Sequence, residues 1–358
     1  MSDRSLGAAP SWRRVLLSEH FVLGLSALLF LLALPAVPRL AGARNLANVL
    51  SNVGPLFAVA VGQTVVLVVR GIDLSQTATM ALASVLGALV MTAGLDPELF
   101  GQTPLWGTLV GPEGGPFSGG VAAALAGAAT MLAVGVVVGT LNGLAVARLA
   151  MPPFMVTLVS LTFFGALAVY LTRSENVTRL PDAFVALGGN AVGRVPWSLP
   201  AAGALGVAAH LLLSRTVLGH RLYAVGRNPR AAEVAGVPVA RATVFAYAFS
   251  GFAAAAGAAL YTARLEAGRP TLGQNLLLDV VGATVIGGTS LFGGKGKVLW
   301  TLYGVLFFAL LANVLNLLNL SFYTVNVVKG AVILTAALLD VARTRALRAP
   351  PRLAGAPA

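Results

Sequence analysis

Long apolar runs separated by short polar stretches make up most of the chain. Ten such runs fall at roughly 20–38, 52–69, 75–93, 119–147, 153–172, 197–214, 241–263, 276–290, 299–318 and 322–341. A helix of about 20 mostly apolar residues crosses the hydrocarbon core of a bilayer. The pattern therefore predicts an all-α membrane protein of about ten transmembrane helices, some broken or re-entrant. The eighth run is short and interrupted by glycine, which marks it as the broken or re-entrant one. The longest polar stretches, 94–118, 173–196 and 215–240, are too short for a soluble domain. One transmembrane domain, 20–341, is expected between two tails, 1–19 and 342–358.

Composition strengthens this reading. Of 358 residues 57% are hydrophobic and only 10% are charged, with a mean hydropathy of +0.86, against about 25% charged in a soluble chain. The chain has no cysteine, which removes disulfides, thiolate zinc sites and cysteine nucleophiles. Its three histidines, His20, His210 and His220, form no ligand cluster, so no metal site is expected.

The net charge of +12 carries topological information. The basic residues lie between apolar runs instead of forming one patch, so positive-inside bias explains them better than nucleic-acid binding. With the N-terminus inside, sixteen of the 24 basic residues fall in cytoplasmic segments and seven outside, and Lys329 lies within a span. Both termini are therefore expected in the cytoplasm. The 94–118 loop agrees, carrying Asp96, Glu98 and Glu113 and no Lys or Arg. The first run, preceded by Arg13 and Arg14 and followed by Ala41-Gly42-Ala43, reads as an uncleaved anchor or as a signal peptide with its cleavage site.

Enzyme signatures are missing. The nearest approach to a phosphate-binding GxxxxGK[ST] loop is Gly288 to Lys295, where Gly294 occupies the lysine position. No GxSxG elbow occurs. Movement of a solute is thus the expected function, with no cofactor, and with energy from a partner subunit or an ion gradient.

Several features stand out. The turn Gly71-Ile72-Asp73-Leu74-Ser75 ends the second run. Gly71 permits a break, and Asp73 with Gln76 has capping-box spacing; Asp73 and Ser75 are either a helix cap or part of a transport gate at membrane depth. The run from Gly287 to Gly296 holds five glycines, too many for a regular helix, and is either a packed helix break or an anion nest. Val61-Gly62-Gln63-Thr64-Val65 and Val281-Gly282-Ala283-Thr284-Val285 suggest an internal repeat.

In the 215–240 loop Asn228 suits an N-cap, Pro229 the first helical position and Gly236 the C′ position. A helix of under two turns, Arg230 to Ala235, follows, either as part of a solvated loop or as a docking element for a cytoplasmic protein. Finally, amides recur within spans. Asn313, Asn316 and Asn319 lie near one face of a helix, Asn326 and Lys329 near one face of the last, and Gln63 and Asn142 in earlier spans. They either bridge helices or line a path for an uncharged, polyhydroxylated solute. Gly135, Gly139 and Gly143 make overlapping GxxxG patterns, which imply close helix packing.

At these residues the chain resembles the permease subunits of bacterial ABC sugar importers of the ribose, xylose and galactose type. The likeness spans about Asn45 to Asp340 and rests on Gly71–Ser75, on Leu141-Asn142-Gly143 followed by Pro152 to Leu158, on Gly219 through Gly236, and on Gly287 to Gly294. The resemblance implies a dimer, with a second copy or a related permease, in the bacterial inner membrane. It also implies ATP-binding subunits docked beneath, and a periplasmic or lipid-anchored binding protein delivering the solute. No nucleic acid is expected.

The resemblance further marks Arg227, Asn228, Pro229, Arg230, Ala231, Ala232, Glu233 and Gly236 as the ATPase-coupling loop. Ala231, Ala232 and Gly236 match the EAA pattern of the wider importer group, with Arg230 in place of its glutamate. Gln63, Asp73, Ser75, Asn142, Asn313 and Asn316 are the candidates for the path or gate of a small neutral solute, a monosaccharide such as ribose. Relatives that carry nucleosides or branched-chain amino acids keep those substrates open. An ion-gradient transporter would instead use Asp73, Asp279 or Lys329, and a channel would need no energy.

Overall fold

The computed structural model describes residues 20–348 apart from 190, 193 and 194. Arg4, Arg13 and Arg14, Arg194 and Arg352, which enter the charge count, lie outside the described residues, as do tail 1–19 and the last ten residues of the other tail.

A helix stands at each of the ten apolar runs: α1 Phe21–Ala33, α2 Ala43–Val68, α3 Gln76–Met91, α5 Gly120–Arg148, α6 Pro153–Thr172, α8 Ser198–Arg215, α11 Val239–Leu265, α12 Leu277–Gly287, α13 Val298–Leu317 and α14 Phe322–Arg348. Between them come short helices α4 Pro97–Phe100, α7 Asp182–Gly189, α9 Val217–Arg227 and α10 Pro229–Val234, and a two-stranded ribbon of β1 Ala191–Val192 and β2 Val195–Pro196. Five helices, α2, α5, α6, α11 and α13, are each long and apolar enough to cross a membrane. The pair α8–α9, bent by 73° at Thr216, makes a sixth if it is counted as one span, while α1, α3, α12 and the apolar part of α14 are shorter.

Two boundaries differ instructively from the apolar pattern. Helix α2 begins at Ala43, nine residues before the run that predicts it, because its first turns carry Asn45, Asn48 and Asn52. At 1.5 Å per residue its 26 residues span about 39 Å. Helix α12 is only 11 residues, about 16 Å, half of a hydrocarbon core of about 30 Å. It is the short eighth element, and it ends where Gly288 adopts φ +110°.

The centre of the bundle is α2, α3 and α11. From Val53 to Val68 every residue of α2 is buried, and nearly all of α3 is. Helices α5 and α6 lie at the periphery, with large apolar side chains such as Leu125, Phe163 and Tyr170 exposed. The glycine stripe on α5 packs as its spacing predicts. A Cβ at Gly135 or Gly139 would overlap backbone of Gly251 or Tyr247 on α11, and one at Gly143 would stand 2.8 Å from Val244 Cα. Backbones in such contact maximise dispersion between helices that the hydrophobic effect cannot drive together in lipid.

Candidate functional site

A cavity of about 550 Å³ opens among the first half of α2, the start of α12, the end of α13 and the start of α14. Seven asparagines line it: Asn45, Asn48, Asn52, Asn275, Asn313, Asn316 and Asn326. Spacings of three and four residues put Asn45, Asn48 and Asn52 on one face of α2, and Asn313 and Asn316 on one face of α13. Tyr261, Phe308 and Leu317 add apolar wall. Among the candidate path residues, the structure brings only Asn313 and Asn316 to this cavity.

The amides are held in fixed orientations. Asn45 Nδ2 donates to Asn313 Oδ1 at 2.9 Å and Asn313 Nδ2 donates back to Asn45 Oδ1 at 2.9 Å. Asn313 therefore bridges helices and lines the cavity at once, so the two readings of that amide do not exclude each other. On α11 the Arg264 guanidinium donates to Asn52 Oδ1 and Asn48 Oδ1, both at 2.6 Å. With both oxygens engaged, the two amide groups turn N–H donors away from Arg264.

The cavity wall carries one ion pair. Lys329 Nζ on α14 lies 2.7 Å and 2.9 Å from the two carboxylate oxygens of Asp279, in the first turn of α12. Both side chains are 9% exposed. Unpaired charges at such depth cost several kcal/mol each; here each neutralises the other, and the cavity keeps donors and acceptors without a net charge from the pair.

Asp73, Ser75 and Asn142 form a separate buried brace. Asp73 Oδ1 accepts from the Ser75 backbone N–H at 3.0 Å and from Ser75 Oγ at 2.6 Å, and Oδ2 accepts from Ser250 Oγ of α11 at 2.6 Å. Asn142 Nδ2 of α5 donates to Ser75 Oγ at 2.8 Å and its Oδ1 accepts from Ser160 of α6. The helix-cap reading describes Asp73 only in part. Gln76 does not close a capping box; its amide donates to Ser250 Oγ at 2.8 Å and to Val59 O. Nor is Gly71 the residue with unusual backbone. Arg70 takes φ +67°, while Gly71 is small because a Cβ there would stand 2.6 Å from Tyr247 Oη. Gln63 belongs to neither group: it is fully buried in α2, and its amide atoms have no partner among the described residues.

The 215–240 segment is more ordered than a loop. After the bend, Thr216 Oγ1 caps α9 by accepting from Gly219 N at 3.0 Å. Asn228 Oδ1 caps α10 by accepting from Ala231 N at 3.1 Å, with Pro229 at the first position. Gly236 takes φ +78° and Val237 N donates to Ala232 O at 2.9 Å, closing the helix. Ala232 is buried, whereas Arg227, Arg230, Ala231 and Glu233 are exposed, and Val234 is 91% exposed. This element lies at the end of α2 opposite the cavity, where Gly226 presses on Val68 O.

The sequence reading passed over Asn45, Asn48, Asn52, Asn275 and Arg264 as lining or positioning groups. A signal was present for the first three: their spacing repeats that of a helix face, but Asn45 and Asn48 sit outside the apolar run, which begins at Asn52.

Comparison with known proteins agrees with this architecture. Residues 45–337 match the family described as the branched-chain amino acid transport system / permease component. A ribose import permease of Bacillus subtilis is 35% identical over 83% of this chain and 84% of its own length. That of Escherichia coli K12 is 33% identical over 88% and 92%, and an L-arabinose transport system permease of the same strain is 33% identical over 58% and 63%. No solved structure matches the chain. A match from Asn45, the first cavity amide of α2, to residue 337 in α14 takes in the cavity, the buried brace and the capped segment alike, and the chain belongs to the branched-chain amino acid transport system / permease component family.

Proposed function

We propose that this membrane protein is the permease subunit of an ATP-driven importer, that its solute is a monosaccharide such as ribose, and that the asparagine-lined cavity is the outward half of the path. The observation that carries the reading is the cavity wall. Seven amides offer both donors and acceptors, which matches hydroxyl groups that are donors and acceptors themselves. The two ionised side chains of the wall, Asp279 and Lys329, are paired with each other, which leaves the amides as the side-chain partners for an uncharged solute. The names of the ribose and arabinose relatives support the same substrate class.

In this reading ten spans cross the inner membrane with both termini in the cytoplasm, and the cavity faces out. The Arg227–Gly236 segment, at the opposite end, docks a separate ATP-binding subunit, with Ala231, Ala232 and Gly236 in the coupling pattern. A second permease completes the path, and a binding protein outside delivers the sugar. Asp73, Ser75 and Asn142 act as the brace behind the break between α2 and α3, not as sugar contacts.

The buried Asp279–Lys329 pair beside the cavity gives one foothold to a second reading, transport driven by an ion gradient. Both are tested by uptake in vesicles holding permease, ATP-binding subunit and binding protein. The proposal expects uptake of labelled ribose or arabinose that requires internal ATP, is not displaced by leucine, and is unchanged by a protonophore at fixed ATP. Uptake abolished by the protonophore at fixed ATP would replace it with the second reading.

A further inference from the structure

The glycine-rich turn between α12 and α13 is left unused by this reading, and its tip is apolar and exposed. Phe292 is 70% and Leu291 42% exposed. The tip is rigidly built. Gly293 N donates to Ser290 O at 3.2 Å, Ser290 N to Lys295 O at 2.9 Å, and Phe292 N to Ser290 Oγ at 3.2 Å.

The turn is clamped to the end of α2 and to the α9–α10 junction. Arg70 Nε donates to Phe292 O at 3.0 Å, and Arg70 Nη2 donates to Arg227 O at 3.1 Å, one residue before the Asn228 cap of α10. Gly294 N donates to Val68 O at 2.9 Å, and Tyr223 Oη of α9 donates to Gly296 O at 2.6 Å. Gly293 and Gly294 have φ +81° and +69°. A Cβ on Gly293 would overlap Arg70, and one on Gly294 would stand 2.8 Å from Arg227 Cγ. Larger residues at either position would part the turn from the junction.

We infer that the Leu291–Phe292 tip is a second contact for the ATP-binding subunit, joined through Arg70 to the α10 contact. The inference rests on the reading of α10 as a docking helix. Two adjacent large apolar side chains held out on a hydrogen-bonded turn offer an anchor for a partner's pocket. Val234 on α10 is exposed in the same way. Arg227 and Arg230 precede Val234 and Lys295 follows the tip, all three exposed, so the complementary surface is an apolar pocket rimmed by acidic residues. Arg70 ties the tip to the α10 side, and so favours the protein partner over lipid. Arg70 also precedes the Gly71–Ser75 turn, so one guanidinium joins both contacts to the break between α2 and α3.

The absence of cysteine makes the test clean. Single cysteines replace Phe292, Leu291 or Val234, carry a thiol-linked benzophenone, and are photolysed in membranes holding the assembled transporter. The inference expects adducts with the mass of permease plus ATP-binding subunit from both tip positions and from 234. Adducts to the subunit from 234 with only lipid adducts, or none, from 291 and 292 would overturn the tip contact and leave the docking helix standing. No subunit adduct from any position would overturn both. Tip adducts without one at 234 would uphold the tip contact and overturn the docking helix.

Discussion

Asn313 shows how one side chain serves two ends. Its amide closes a reciprocal pair with Asn45 across α2 and α13 while bordering the cavity. A helix-bridging hydrogen bond in a membrane is worth about 0.6 kcal/mol on average, and a single sugar contact about 0.5–1.5 kcal/mol net. Asn313→Leu should therefore lower uptake several-fold while leaving the purified protein folded, as read by size-exclusion chromatography. Unchanged uptake would remove this amide from the path.

The ion pair makes the opposite prediction for stability. Asp279→Asn or Lys329→Met alone strands a buried charge, a loss of about 3–5 kcal/mol. The double substitution removes both charges and should recover most of the thermal stability in detergent. A double variant as unstable as the sum of the singles would mean that the two groups do not act as a pair.

At the scale of elements, glycine and capping residues decide where helices stop. Gly236 sits at φ +78° with open space around its Cα, so Gly236→Val would strain the backbone without a clash, by about 1 kcal/mol or more. Membrane insertion should be unchanged, while co-purification of the ATP-binding subunit and uptake both fall; if neither moves, the docking assignment to α10 fails.

Local rules made this element legible in the sequence: Asn228, Pro229 and Gly236 are cap signals within nine residues, and α10 lies one residue from its predicted place. Each of the ten apolar runs marks a helix, and five of those helices have the continuous apolar length to cross a membrane. What escaped was set by tertiary contact or masked by polarity. Arg44, Asn45 and Asn48 hid the first nine residues of α2. The glycine at position 71 suggested backbone freedom, yet Arg70 bears the positive φ and Gly71 serves the approach of Tyr247. The partners of Asp73 come from residues as distant as Ser250, which no spacing reveals.

Across the whole molecule, the amide-lined cavity borders one end of the central 26-residue helix α2 and the capped α10 segment, the proposed ATPase contact, lies at the other. The short α12 presents Asp279 and Asn275 at its head to the cavity, while its other end leads into the turn fixed to the far end of α2. If the cavity is the outward half of the path, it opens to water from outside, and position 316 reports that opening. A single cysteine in place of Asn316 should react with a small membrane-impermeant thiol reagent added outside, and its rate should change when ATP is trapped on the assembled transporter. A cysteine at the buried Gln63 serves as the unreactive comparison. Complete protection of position 316 in every state of the cycle would mean that the cavity does not open to water, and the sugar path would lie elsewhere.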